Sequence, residues 1–192
     1  CSPRPGGNCD QTVQRLAEAL QARDCQARTL FLRDLPLLPC RGCHHCQRTG
    51  SCVLKQDQDH AEALFAPLLG PDPVLFVAPI YFYHLPALFK AFIDRPQLFY
   101  HLRESGDPAQ LALPRRAAHT VLIAGRSQGE KLFAGSLLTL KYFLAPFNRF
   151  FPEADAGPLL LRGLDGPHDL AQDLGAQDAI DAYAAHLLDA YA

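Results

Sequence analysis

Val74-Leu-Phe-Val-Ala-Pro79 is apolar at every position, with none of the alternation that marks a strand facing water on one side. Such a run belongs to a strand covered on both faces, and cover on both faces is the habit of parallel sheets, whose crossover helices pack above and below. His119 to Ala124 reads as a second buried strand, and Leu159 to Leu161 as a last one. Between and around them the period changes to that of helices. Asp10 is placed to cap a helix whose stripe is Val13, Leu16, Ala17 and Leu20. Leu85, Leu88, Phe89, Phe92 and Ile93 form another stripe, and a further helix is expected from about Glu130 to Leu144. Asp59 to Leu69 reads as a short helix bent or ended by Pro67. A C-terminal helix presents Ile180, Tyr183, Ala184, Leu187, Leu188 and Tyr191 on one face.

With Arg28 to Arg33 read as a strand centred on Leu30-Phe-Leu32, strands and helices alternate along the chain, which predicts an α/β fold. The arrangement expected is a flavodoxin-like three-layer sandwich with a five-stranded parallel sheet in the order 2-1-3-4-5. The first of those strands is then expected upstream of Cys1, because its absence would leave two sheet edges with unpaired backbone groups. At 192 residues the chain suits a single domain, 1–192, with a Cys-rich insertion at about 36–55. A net charge of -2 offers nothing to a polyanion, so no nucleic-acid partner is expected. No apolar run approaches the ~20 residues of a membrane helix, so no membrane partner is expected either.

The segment Ser2-Pro-Arg-Pro-Gly-Gly-Asn-Cys9 lies between the inferred first strand and the first helix. In an open α/β sheet that is where a phosphate binds, because free N–H groups and the helix dipole point at the anion. Ser2 and Asn8 add side-chain donors, Arg4 adds positive charge, and Gly6 and Gly7 let the chain curl. The loop is neither a Walker loop nor a G-x-G-x-x-G dinucleotide loop.

Four of the seven cysteines fall within thirteen residues, as Cys40-x2-Cys43-x2-Cys46-x5-Cys52. An odd total clustered this way argues against a secreted disulfide framework and for metal binding in a cytoplasmic protein. Steps of two residues let a chain wrap a [4Fe-4S] cluster, whereas zinc sites usually separate two C-x2-C pairs by a longer spacer. Zinc and free, redox-active thiols remain the alternatives. Arg41, His44, His45 and Arg48 surround the motif, either raising a cluster's potential or lining a solvent-facing loop. Cys1 and Cys25 are expected to be buried small residues.

The phosphate loop resembles the S-x-R-x-x-G/S-x-N-T/S loop of the NADPH-dependent FMN reductase-like group of flavodoxin-fold proteins. Pro79-Ile-Tyr-Phe82 resembles that group's loop after the third strand, and Lys90-Ala-Phe-Ile-Asp-Arg95 its helix ending. Cys9 stands where the family usually has Thr or Ser, so a weak thiol replaces a hydroxyl donor. The resemblance implies an FMN-binding oxidoreductase whose cofactor site comprises Ser2, Arg4, Gly7, Asn8, Cys9, Pro79, Ile80, Tyr81, Phe82, Gly125 and Arg126. Arg126 is the candidate for tuning flavin potential. Asp94 and Arg95 are given a structural role, and His84 that of a surface loop residue. No catalytic acid–base residue is expected.

The cysteine spacing resembles the iron–sulfur flavoprotein branch of the same family. It implies Cys40, Cys43, Cys46 and Cys52 as cluster ligands and electron transfer between FMN and cluster within a homodimer or homotetramer. The implied donor is ferredoxin-like or a pyridine nucleotide. The alternative is an NAD(P)H-dependent FMN or quinone reductase without a cluster.

Overall fold

The computed structural model of the chain describes residues 1–56, 59–153 and 157–190; Tyr191, expected on the C-terminal helix face, lies outside the described residues. Four strands form one parallel sheet among them: β1 (Val74–Pro79), β2 (Arg116–Ala124), β3 (Arg149–Phe150) and β4 (Leu159–Arg162). β1 pairs with one edge of β2 from Val74↔Ala118 to Pro79↔Ile123. The other edge of β2 is shared by β3, at Arg116 and Ala117, and β4, at Val121 to Ala124. The two-residue β3 has no counterpart in the sequence reading.

Sheet residues divide by parity between two cores, as a pleat with cover on both sides requires. Ala78, Ala118 and Leu122 face one way, against α3 (Ala61–Leu69), α4 (Ala87–Ile93) and α7 (Ala134–Leu144). Phe65, Phe92 and Phe147 stack there, with Phe65 ring centroids 5.1 Å from Phe92 and 5.8 Å from Phe147. Val77, Val121, Ile123 and Leu161 face the other way, against α1 (Asn8–Gln21) and α9 (Leu174–Asp189). Short helices complete the chain: α2 (His45–Thr49), α5 (Gln97–Glu104), α6 (Pro108–Leu111) and α8 (Asp169–Gln172). No helix among the described residues is long and apolar enough to cross a membrane.

The strand expected at 28–33 does not form. Residues 28–30 are exposed coil, and Leu32–Asp34 is a 3-10 turn. A strand needs a ladder partner, and in the order 2-1-3-4-5 the second strand pairs only with the first. Among the described residues no strand lies on the outer edge of β1, where Val77 O accepts instead from the Cys1 nitrogen at 2.9 Å. Cys25, expected to be buried, is exposed because residues 21–30 lie outside both cores.

Smaller boundaries also differ. α7 starts at Ala134 rather than near Glu130, because Gly129 (φ 151) and Lys131 (φ 55) hold left-side backbone that a helix cannot continue. Pro67 does not end α3, which runs on to Leu69. The carbonyls of its last turn are taken by two arginines. Buried Arg149 donates to Pro67, Leu68 and Gly70, and Arg116 to Leu69 and Gly70, which puts two cations at the negative end of the helix.

Candidate functional site

α1 begins at the top of the sheet, and its N-cap is Gly7 in extended backbone, not Asp10. Asp10 stands inside the first turn and accepts from Gly6 N at 2.7 Å, which folds the loop back on the helix. Gly6 takes φ 68, a conformation costly for any residue with a Cβ. A Cβ on Gly7 would come within 3.1 Å of Arg4 Cδ, so its hydrogen lets the Arg4 stem lie across the loop. Ser2, buried, accepts from Arg4 N through its Oγ at 3.1 Å. The N–H groups of Gly7, Asn8 and Cys9 have no hydrogen-bond partner among the described residues. Three consecutive free donors at the positive end of a 14-residue helix are an arrangement suited to cradling an anion.

Two side chains do other work than expected. Asn8 donates to Leu164 O at 3.1 Å and Gly166 O at 2.8 Å and accepts from Leu170 N at 3.1 Å, so its amide clamps the loop after β4. What Asn8 can offer an anion is its backbone N–H. Cys9 packs into the core with Leu16 and Val77, and burial pushes its thiol up to about 11. It is a neutral core residue at neutral pH.

The other loops meet at the same end of the sheet. After Pro79, Ile80 N donates to Ile123 O at 2.8 Å, and Tyr81 and His84 exchange two backbone bonds around a tight turn. Phe82 and Tyr83, the central pair, have φ 49 and φ 62, values that such turns normally give to Asn and Gly. The Phe82 ring is wholly exposed, and Tyr81 and Tyr83 are partly so. Packing accounts for neither the left-handed backbone nor the exposed Phe82 ring. His84 is half-buried, its Nε2 3.1 Å from Thr139 Oγ1, so it ties the turn to α7 rather than lying free on the surface.

Gly125 and Arg126 follow β2. Arg126 sits 5.7 Å from the Tyr83 ring centroid, and Tyr83 Oη approaches Gly129. The segment after β4 closes the ring of loops. Leu164 N donates to Ala124 O, Gly163 N donates to Arg126 O, and the Asp165 carboxylate occupies the space where a Gly125 Cβ would stand. Asp165 was not foreseen, because only the folded loop brings it 40 positions back to Gly125. The free N–H groups and the open aromatic turn are features that fit a flat, phosphate-bearing ring system such as FMN.

The cysteine segment sits on a buried ion pair. Arg95 Nη1 donates to Asp59 Oδ2 at 2.7 Å with both side chains 1% exposed, and to Leu38 O at 2.8 Å. Asp59 accepts in addition from Leu38 N at 2.7 Å and Ala61 N at 3.0 Å. Burial opposes its charge, but Arg95 and these two N–H groups outweigh that and hold the carboxyl below its ordinary range. Arg95 Nη2 reaches Cys52 Sγ at 3.3 Å. The structural role expected of Arg95 therefore runs through Asp59, a residue read from sequence only as a helix start. Asp94 pairs instead with Lys90 at 2.5 Å.

Cys46 and Cys52 line one cavity of about 280 Å³ with Arg95, Phe65 and Phe99, and burial with the nearby Cys52 and Cys40 pushes the Cys46 thiol up. Cys43 is exposed. In kind, four thiols fit an iron–sulfur cluster. Among the described residues no three His, Cys, Asp or Glu side chains gather around a position for one metal ion, and a cluster of four irons spaces its ligands more widely than one ion does.

Comparison with known proteins bears on this site. An iron-sulfur flavoprotein of Methanosarcina thermophila is 30% identical over 97 residues, which cover 50% of this chain and 49% of that protein. One of Archaeoglobus fulgidus is 28% identical over 94 residues, covering 49% and 41%. The chain thus spans about half the length of the first of these relatives and less of the second. An FMN-dependent NADH-azoreductase of Bacillus anthracis, solved in complex with FMN, superposes with a TM-score of 0.62 over 97% of this chain and 96% of its own, at 11% identity. That likeness establishes the flavodoxin-like fold alone. The family profile for NADPH-dependent FMN reductase matches residues 1–132, a span that holds the anion cradle, the strained aromatic turn and the Gly125 loop, and the chain belongs to that family.

Proposed function

We propose that the chain, a flavin-dependent oxidoreductase by family, binds FMN with its phosphate on the N–H groups of Gly7, Asn8 and Cys9. The observation that carries the reading is that row of unpartnered donors at the start of α1. Ser2 and Arg4 shape the loop around it. The isoalloxazine ring lies against Pro79, Ile80, Tyr81 and Phe82 on one side and Gly125 and Arg126 on the other. When bound, FMN supplies two-electron and one-electron redox chemistry, and the residues around it orient it and exclude water. The strand order 2-1-3-4-5 and a single domain over 1–192 belong to the same reading, supported by the open outer edge of β1, where Cys1 N meets Val77 O.

The finer reading is electron transfer between FMN and a [4Fe-4S] cluster on Cys40, Cys43, Cys46 and Cys52. It is supported by the motif and by the relatives' name, iron-sulfur flavoprotein. A cytoplasmic homodimer or homotetramer served by a ferredoxin-like or pyridine-nucleotide donor completes it. The alternative reading is an NAD(P)H-dependent FMN or quinone reductase in which the thiols stay free, supported by the family's description, NADPH-dependent FMN reductase.

Anaerobic purification followed by flavin and iron analysis separates the two. About four iron per chain with broad absorbance near ~400 nm supports the cluster. A yellow, iron-free protein whose flavin NADPH bleaches supports the second reading. A chain that retains no FMN from excess overturns both.

A further inference from the structure

We propose that the Asp10–Arg33 ion pair is a charge latch that sets how strongly the α1 cradle prefers a phosphorylated flavin to an unphosphorylated one. The proposal rests on the reading of that cradle as the FMN phosphate site.

Asp10 is out of place beside an anion site. A carboxylate in the first turn of α1 suits the helix dipole, but the same turn carries the free N–H groups, and an uncompensated charge there repels a phosphate. Arg33 removes the conflict. Its Nη1 and Nη2 donate to Asp10 Oδ1 and Oδ2 at 2.9 and 2.8 Å, a two-point pairing of fixed geometry. The side chains are 16% and 18% exposed, so the pair is shielded from salt and persistent.

The same carboxylate divides the loop's donors. Asp10 Oδ2 takes the Gly6 N–H at 2.7 Å, and the next three N–H groups are left for a ligand. Arg33 is itself held in place. Its Nη1 lies 3.4 Å from Ser2 O, its guanidinium 4.3 Å from the Phe31 ring centroid and its Nε 3.9 Å from Asp34. Its nitrogens face Asp10 and Ser2 O, which makes it a positioning residue rather than a phosphate ligand. The 3-10 turn that replaces the expected strand is what delivers it: Arg33 lies inside Leu32–Asp34.

The test compares FMN with riboflavin, which differ only in the phosphate, titrated into flavin-free protein by fluorescence quenching. R33M exposes the Asp10 charge and is expected to weaken FMN on the order of tenfold while changing riboflavin less than about threefold. Its FMN deficit shrinks as salt rises. D10N leaves Arg33 in excess and keeps or raises the FMN preference, and D10N/R33M returns it close to that of the wild type. A merely structural latch would weaken both flavins alike in R33M and in D10N, and that pattern overturns the proposal. A wild type that prefers FMN, with the preference intact in R33M, overturns the latch but leaves the cradle standing. A wild type without preference overturns the cradle and the latch together. Should R33M not fold, D10N decides alone, since a fall in FMN preference there contradicts the charge argument.

Discussion

Replacing Asp59 by Asn takes one charge from a buried pair whose side chains are each 1% exposed. In the native chain the carboxylate accepts from Leu38 N, Ala61 N and Arg95 Nη1, at 2.7 to 3.0 Å. An amide keeps one acceptor oxygen and turns an NH2 group toward donors. Arg95, 1% exposed, then holds its charge with Leu38 O and Cys52 Sγ as remaining partners. Breaking a buried pair by removing one member costs about 3–5 kcal/mol, a large part of the ~5–15 kcal/mol that hold a domain folded. With a urea slope of about 2 kcal/mol/M, the unfolding midpoint should fall by about 1.5–2.5 M. D59L/R95M, which removes both charges, should recover most of that loss. The pair also fixes the acid limb. A carboxyl held below its ordinary range stabilises the fold above about pH 4 and loses that contribution as pH falls through the lowered value, so D59N should flatten the acid limb. A D59N midpoint within about 0.5 M of wild type at neutral pH would show that the pair is not what anchors the cysteine segment.

Three further outcomes can be checked. Cys9, raised from 9.0 to about 11 by burial, stays protonated in the fold while an unfolded thiol ionises, so stability drops as pH rises above about 9. Its share is about 2 kcal/mol by pH 10.5, and denaturant midpoints of wild type and C9A should therefore converge or cross between pH 8 and pH 10.5. F82G relieves a left-handed backbone angle and should raise thermal stability by about 1 kcal/mol, while loss of the exposed ring slows flavin-dependent turnover; lower stability would mean the ring is packed. G125A places a methyl 2.3 Å from Asp165 Oδ1, and the displaced loop should weaken FMN binding measured by fluorescence, with a stability cost of about 1–3 kcal/mol; unchanged affinity would remove Gly125 from the flavin site.

What could be read from the sequence followed from its strongest local signals. The unbroken apolar run Val74–Pro79 placed β1, the apolar stretch Val121–Ala124 placed the end of β2 although His119 and Thr120 before it are polar and buried, and the period of Leu85 to Ile93 placed α4. The Gly-rich turn ahead of a helix pointed to the row of free N–H groups at the start of α1. Residues 28–33 misled because their β-like composition is local while a ladder partner is not. Arg33, Asp59 and Asp165 were invisible as site residues for a related reason. Each acquires its role from a group 23 to 40 positions away, Asp10, Arg95 and Gly125 in turn, and no spacing rule connects them. Asn8 was noticed as a donor, but its direction was not legible, since the carbonyls that take its amide come from the loop after β4.

The divided rim formed by β3 and β4 bears on how copies of this molecule stay apart. A sheet margin recruits an invading peptide when it offers an unbroken rail of spare carbonyls and amides. Among the described residues the margin is made by Arg149–Phe150 and Leu159–Arg162, pieces of two and four residues. A stray segment from another chain would lose its register at the gap before it could zip along, so the interruption works as a fuse against runaway sheet extension on that side.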